Sequence, residues 1–253
     1  MEQGKKRTAI VTGASSGIGL EISRTLCGLG YQVFGFGRNF ERPEFLEAET
    51  AEGLFHPVIC NLLETEKMCM EVKKIATEHT VTVLVNNAGV GYYGLHEELN
   101  PKKIQEMVRI NLEVPMILTG QLLRELKKQK GYIINISSVT AGQSNPHGCA
   151  YGATKAGLSG FSRSLFEEAR KYGVKVTAIC PDMTKTDLYR NADFTEDDAV
   201  EAYLEPAEVA QAVAFILNQR EGLVVSEITL RPQLHRIKRK KNEDHRENAQ
   251  KGT

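Results

Sequence analysis

The chain of 253 residues has no tryptophan and only five cysteines, Cys27, Cys60, Cys69, Cys149 and Cys180, none of them in a C-x-x-C pair. Unpaired thiols at irregular spacing exclude a disulfide framework and a thiolate metal site, and fit a reduced, cytoplasmic protein. Histidine is scarce as well: the six histidines form no H-E-x-x-H or related spacing, so no metal centre is expected. No apolar run approaches the length needed to span a bilayer, and the start, MEQGKKRTAIVTG, passes from a charged head into a strand pattern without a cleavable leader. The expectation is therefore no membrane contact. Net charge is missing too, with 32 basic and 32 acidic side chains, which removes a global field for nucleic acid. The balance is uneven, because Arg236 to Lys251 carries seven basic residues against three acidic. Residues 235–253 are accordingly expected to be a solvated, disordered tail.

What the chain does have is alternation. Short β-branched runs (TAIVTG, YQVFGFG, FHPVICN, VTVLVNNAG, GYIINISS, VKVTAICP, SEITLRP) are separated by amphipathic stretches such as GIGLEISRTLCGLG and AGLSGFSRSLFEEARKYG. Near-continuous apolar strands with helical connections predict an α/β fold: a doubly wound parallel sheet of about seven strands in a single domain, residues 1–234. Gly30 and Gly173 stand where helices should stop, and Pro181 and Pro232 follow strands. The stretch from Lys102 to Lys130 reads as one long helix, with Asn111 inside it as a mediocre helix former. The Asp182–Leu204 segment breaks the alternation at the carboxyl end of a strand and is a candidate substrate lid.

Immediately after the first strand comes TGASSGIG, from Thr12 to Gly19, opening a helix. Glycines at 13, 17 and 19 let backbone approach a pyrophosphate, whose charge is received by the free N–H groups and dipole of the helix N-terminus. Its G-x-x-x-G-x-G spacing resembles the cofactor turn of the short-chain dehydrogenase/reductase family, and NNAG, from Asn86 to Gly89, resembles a second motif of that family. The resemblance runs from about Thr8 to Pro232 and implies a Rossmann-like three-layer sandwich that holds a nicotinamide dinucleotide. On that resemblance the cofactor-binding set is Gly13, Ser15, Ser16, Gly17, Ile18, Gly19, Arg38, Asn61, Leu62, Asn87, Ala88, Gly89, Tyr151, Lys155, Pro181, Thr184 and Thr186. Gly37 occupies the place where NAD-dependent members carry aspartate, and Arg38 follows it. A cation without a carboxylate suits a ribose 2′-phosphate, so NADP(H) is the expected cofactor, with NAD(H) as the alternative.

Tyr151 and Lys155, four apart in AYGATKAG, share one face of a helix bordered by glycines and alanines. A phenol with a reference pKa of about 10 is a poor proton shuttle near neutrality, and a neighbouring ammonium lowers it. Thirteen residues upstream a strand ends at Ser138, whose hydroxyl can hydrogen-bond a substrate carbonyl. Asn111, Ser138, Tyr151 and Lys155 match the family's catalytic tetrad in type, order and spacing. The resemblance implies that Tyr151 gives the proton, that Lys155 holds the ribose and lowers the tyrosine pKa, that Ser138 positions the carbonyl and that Asn111 orders a proton-relay water. Ser138, Tyr151, His147 and Tyr189 are the candidate substrate contacts, with Tyr92, Tyr93 and Tyr203 as further members of an apolar wall.

Three departures from the family pattern stand out. Asp182 replaces the glycine that usually follows Pro181, which would strain the backbone if that site required positive φ. Asn61 stands where an aspartate usually recognises adenine, and the chain closes on EITLRP rather than the Asp-Gly-Gly of 3-oxoacyl thioester reductases. The expectation is a reductase or dehydrogenase acting on a small-molecule carbonyl or secondary alcohol, working as a homodimer or homotetramer. The alternatives are a 3-oxoacyl thioester reductase and a non-catalytic NADP(H)-binding sensor or scaffold.

Overall fold

The β-branched runs form strands in the computed structural model, which describes residues 7–41 and 53–240. In chain order these are β1 (Thr8–Thr12), β2 (Gln32–Gly37), β3 (Phe55–Ile59), β4 (Val81–Asn86), β5 (Tyr132–Ile136) and β6 (Lys175–Pro181). Two three-residue strands, β7 (Phe194–Glu196) and β9 (Ile237–Arg239), pair with each other outside the main sheet, and β8 (Glu227–Leu230) completes it. The main sheet has seven parallel strands in the order β3-β2-β1-β4-β5-β6-β8, as the alternation predicts. The order reverses between β1 and β4, so successive crossovers lie on opposite faces and a crevice opens at the carboxyl ends of these two strands.

Each face buries one half of the two-residue strand period. Ile10, Leu84, Ile133 and Val176 meet α2 (Thr65–Glu78), α3 (Pro101–Val108), α4 (Val114–Gln129) and α5 (Cys149–Ala169). Ala9, Val11, Val83, Val85, Ile134 and Ile136 meet α1 (Gly17–Gly28) and α6 (Pro206–Leu217). Met68, Leu118, Leu122 and Leu126 are fully enclosed; burying side chains of this size contributes roughly 1.5–3 kcal/mol each. The expected glycine stops are present: Gly30 and Gly173 adopt φ of 80° and 79° and end their helical segments.

Two expectations need correction. The stretch read as one helix is interrupted, because Arg109–Glu113 forms a π turn between α3 and α4 in which the Val114 amide bonds the Arg109 carbonyl. Nor does order end at residue 234. Ile237–Arg239 pairs antiparallel with Phe194–Glu196, and Lys238 and Lys240 bond an acidic loop rather than lying in solvent alone. Residues 241–253 of the expected tail lie outside the described residues.

Candidate active site

The glycine-rich turn and NNAG interlock. Thr12 Oγ1 accepts from the amides of Asn87 and Ala88, both at 3.0 Å, while Asn87 Nδ2 donates to the Thr12 carbonyl at 2.9 Å and the Gly13 carbonyl at 3.2 Å. Space leaves only glycine at two positions. A Cβ on Gly13, where φ is 66°, would lie 2.9 Å from Ala88 Cα, and one on Gly19 would lie 2.1 Å from the Gly13 carbonyl oxygen. Ser16, at the N-cap of α1, gives no side-chain hydrogen bond to the helix, so its first amides keep no side-chain acceptor where an anion would sit.

This turn forms one end of a cleft of about 230 Å³. Gly13, Ser15, Ser16, Gly17 and Ile18 line it, as do Arg38, Asn61, Leu62, Asn87, Ala88 and Gly89. Arg38 is exposed at the rim. Beside it Gly37 is closed in: a Cβ there would meet Phe40 at 2.8 Å and Ser15 at 3.0 Å, so a carboxylate side chain finds no room without a shift. Asn61 Oδ1 already accepts from the Leu63 amide at 3.1 Å. The turn, its bare amides and the Arg38 rim suit a dinucleotide with an anionic middle.

The other end of the cleft is lined by Ser138, Tyr151, Lys155, Pro181, Thr184, Thr186 and Tyr189. Small residues on α5 bring Tyr151 and Lys155 down onto the carboxyl end of β5, and both are buried, at 4% and 3% exposure. Lys155 Nζ donates to the Ile136 carbonyl at 2.7 Å and stands 5.8 Å from the centre of the Tyr151 ring. Ser138 Oγ accepts from the Thr140 amide at 3.2 Å and from the Thr140 hydroxyl at 3.0 Å, and it lies close enough to the Tyr151 phenol to lower its pKa. Asn111 lies behind this group, off the cleft lining. Its Oδ1 accepts from the Val90 amide at 2.9 Å, and its Nδ2 donates to the Val90 carbonyl at 2.9 Å and Thr154 Oγ1 at 3.1 Å. The π turn centred on Asn111 accounts for a mediocre helix former at this position, since it widens the helix by one residue where Asn111 bonds the Val90 backbone.

Electrostatics here run against expectation. Burial pushes the Tyr151 phenol up to about 12, against a smaller lowering by the neighbouring Ser138 hydroxyl, and pushes the Lys155 ammonium down to about 8. For both groups the loss of solvent on burial is the largest contribution. The Tyr189 phenol is likewise raised, first by burial and then by the nearby Tyr151 and Asp182.

Other expectations resolve individually. Gly19 shapes the turn without lining the cleft, and His147 is exposed and off the lining, with φ of 62° and its carbonyl accepting from the Gly94 amide at 2.7 Å. Asp182 carries no strain, since Lys130 and His147 are the only non-glycine residues with positive φ among those described. Its Oδ1 accepts from the Met183 amide at 2.8 Å. Of the proposed aromatic wall, the Tyr93 ring centre lies 5.7 Å from that of Tyr151 and 6.0 Å from that of Tyr189. Tyr92 instead donates to Glu106 at 2.8 Å, and Tyr203 sits beneath the Lys185 ammonium. The site also includes Phe194, whose ring is 5.1 Å from Tyr93 and 5.5 Å from Tyr189, and Leu188 and Arg190, which line the cleft. No residue pattern within the lid marks them.

A parallel doubly wound sheet with a glycine-rich turn at one end of its crevice and a Ser-Tyr-Lys group at the other defines a dinucleotide-dependent oxidoreductase. The family model for short chain dehydrogenases matches residues 7–197, and the chain belongs to that family. It is 30% identical over 228 residues to a 3-oxoacyl-[acyl-carrier-protein] reductase of Rickettsia bellii, covering 87% of this chain and 93% of that one. It is 33% identical over 219 residues to carbonyl reductase family member 4 of Danio rerio, covering 84% and 91%. Among solved structures, a metagenomic short-chain oxidoreductase in complex with NADP superposes with a TM-score of 0.77 at 32% identity, covering 90% of this chain and 98% of that one. The chain is thus a dehydrogenase/reductase of this family. Among the described residues no helix is long and apolar enough to cross a membrane.

Proposed function

We propose that the chain is an NADP(H)-dependent reductase that converts a small-molecule carbonyl to a secondary alcohol, or runs the reverse. The observation that carries this reading is the grouping of the Ser138 hydroxyl, the Tyr151 phenol and the Lys155 ammonium in the cleft that begins at the glycine-rich turn. Gly13 to Gly19 and Arg38 would hold the dinucleotide, which supplies hydride. Asn61, Leu62 and Asn87 to Gly89 would border its adenosine and ribose portions, with Pro181, Thr184 and Thr186 at the nicotinamide end. Ser138 orients the carbonyl oxygen, and Tyr151 passes its proton to that oxygen as negative charge develops there. Lys155 favours the phenolate that is left, and Asn111, fixed on the Val90 backbone, would order the water that returns a proton to the site. The absence of room for an acid at position 37 and the cation at 38 support NADP(H) over NAD(H). The five free cysteines fit a cytoplasmic setting, and the family resemblance supports a homodimer or homotetramer.

A 3-oxoacyl thioester is the second substrate reading, supported by the Rickettsia relative. Both readings are tested with NADPH against ethyl acetoacetate and the N-acetylcysteamine thioester of acetoacetate. Tyr151→Phe is expected to lower kcat by about 10³-fold or more while leaving NADPH affinity within about twofold, because it removes the proton donor and little else. Undiminished turnover in that variant would refute the mechanism. NADPH binding with no turnover of any carbonyl by the wild-type chain would favour a sensor.

A further inference from the structure

The lid between Met183 and Leu204 is tied at its base. The Leu204 amide bonds the Met183 carbonyl at 2.8 Å, and the Lys185 amide bonds the Leu204 carbonyl at 2.9 Å. Beyond that base it has only 3₁₀ turns and the three residues of β7, too little regular structure to hold its own shape. Yet its tip sets Phe194 and Tyr189 against Tyr93, which in turn faces Tyr151.

The tip is held from outside. The Lys240 amide bonds the Asp193 carbonyl at 2.8 Å, and its ammonium donates to the Tyr189 carbonyl at 2.6 Å. Lys238 Nζ grips both carboxylate oxygens of Asp198, at 2.8 and 2.6 Å, and the Leu234 amide bonds the Glu201 carbonyl at 2.8 Å. Charge follows the same division: the segment bearing Arg236, Lys238, Arg239 and Lys240 pairs with a loop bearing Asp193, Glu196, Asp197, Asp198 and Glu201, and Lys238 and Lys240 reach across to it. Exposed ion pairs such as Lys238–Asp198 contribute little individually. The backbone pairing and the Lys240 ammonium, whose bonds end on main-chain carbonyls of the lid, are the principal ties.

From this geometry we infer that Leu234–Lys240 is a strap that positions the substrate lid, holding Phe194 and Tyr189 over Tyr151 and thereby setting the affinity for the carbonyl substrate. The strap rests on the proposed carbonyl reductase reading only for its last clause. Lys238 and Lys240 are positioning residues, since neither lines the cleft. The strap touches the lid at residues 189 to 201 and leaves the Gly13–Gly19 turn alone, so it acts on the carbonyl side of the site.

The test uses full-length protein. Lys240→Pro removes both the amide donor to Asp193 and the ammonium; Lys240→Arg keeps both a backbone donor and a cation. Hydrogen exchange followed by mass spectrometry, with no ligand present, should show residues 193–201 exchanging about tenfold faster in Lys240→Pro and at the wild-type rate in Lys240→Arg. If Lys240→Pro fails to fold, the double variant Lys238→Glu with Lys240→Glu is read the same way, since like charge then faces the acidic loop. Exchange within about twofold of wild type in the folded variant overturns the strap. In turnover, KM for ethyl acetoacetate should rise about fivefold with kcat and NADPH affinity within about twofold; an equal fall in NADPH affinity overturns the assignment to the carbonyl side. Exchange needs no substrate, so a chain that reduces no carbonyl still decides the strap.

Discussion

Replacing Arg38 with alanine is expected to separate the two nicotinamide dinucleotides. Arg38 stands at the exposed rim of the cleft, directly after Gly37 and the end of β2. A hydrogen bond from a guanidinium to an ionised phosphate contributes about 1.5–3 kcal/mol. At an exposed rim the lower end applies, because solvent screens the pair and the Debye length is only about 8 Å at physiological salt. About 1.5 kcal/mol corresponds to roughly a tenfold loss of NADPH affinity. NADH lacks the 2′-phosphate and should change by less than about twofold, and raising salt should shrink the difference for wild type but not for the variant. The chain contains no tryptophan, so binding is followed by the fluorescence of the reduced nucleotide itself in side-by-side titrations. Equal weakening of both nucleotides, or of neither, would refute the role given to Arg38. Gly37→Asp is not a clean mirror experiment, because a Cβ at that position already meets Phe40 and Ser15 at 2.8 and 3.0 Å.

Gly19→Ala should disrupt the turn, since its Cβ would fall 2.1 Å from the Gly13 carbonyl oxygen and 2.4 Å from Asn87 Nδ2. A loss of about 3 kcal/mol or more in a urea titration, together with lost nucleotide binding, is expected; a wild-type midpoint would show that the turn relaxes freely. Burial of Lys155 predicts a pH signature, because its folded-state value of about 8 lies below the ordinary 10.5. Between those values the unfolded chain binds more protons, so this group makes stability rise with pH across that window, and Lys155→Met should remove the rise in urea midpoints. Tyr151 has the opposite sign between its ordinary value of 10 and about 12, which sets the upper limit of that measurement. An identical slope in wild type and Lys155→Met would show that the ammonium is not desolvated.

The sheet was legible because each strand is a continuous apolar run and each crossover helix carries its own stripe, so every strand expected in the main sheet is found there. The tetrad and the glycine turn were legible for a related reason: their spacing is fixed by local geometry, one helical turn between Tyr151 and Lys155 and one strand-to-helix turn around Gly13. What escaped depends on contacts between distant segments. Nothing in Phe194–Glu196 or Ile237–Arg239 has a period long enough to mark a strand; each becomes one only by meeting the other across some forty residues of chain. The tyrosine and lysine pKa values escaped for the same reason, since the sequence gives the identity of the partner but not the depth of burial.

The π turn at Arg109–Glu113 also governs phase. Each residue of an α-helix advances the side chains by about 100°, so the extra residue in this turn sets where everything downstream points. Leu118, Leu122 and Leu126 face the sheet only with that residue counted. Deleting any one residue between 109 and 113 would restore a regular helix while turning these three leucines away from the core, so the turn beside the active site also acts as the index mark that aligns α4 on the sheet.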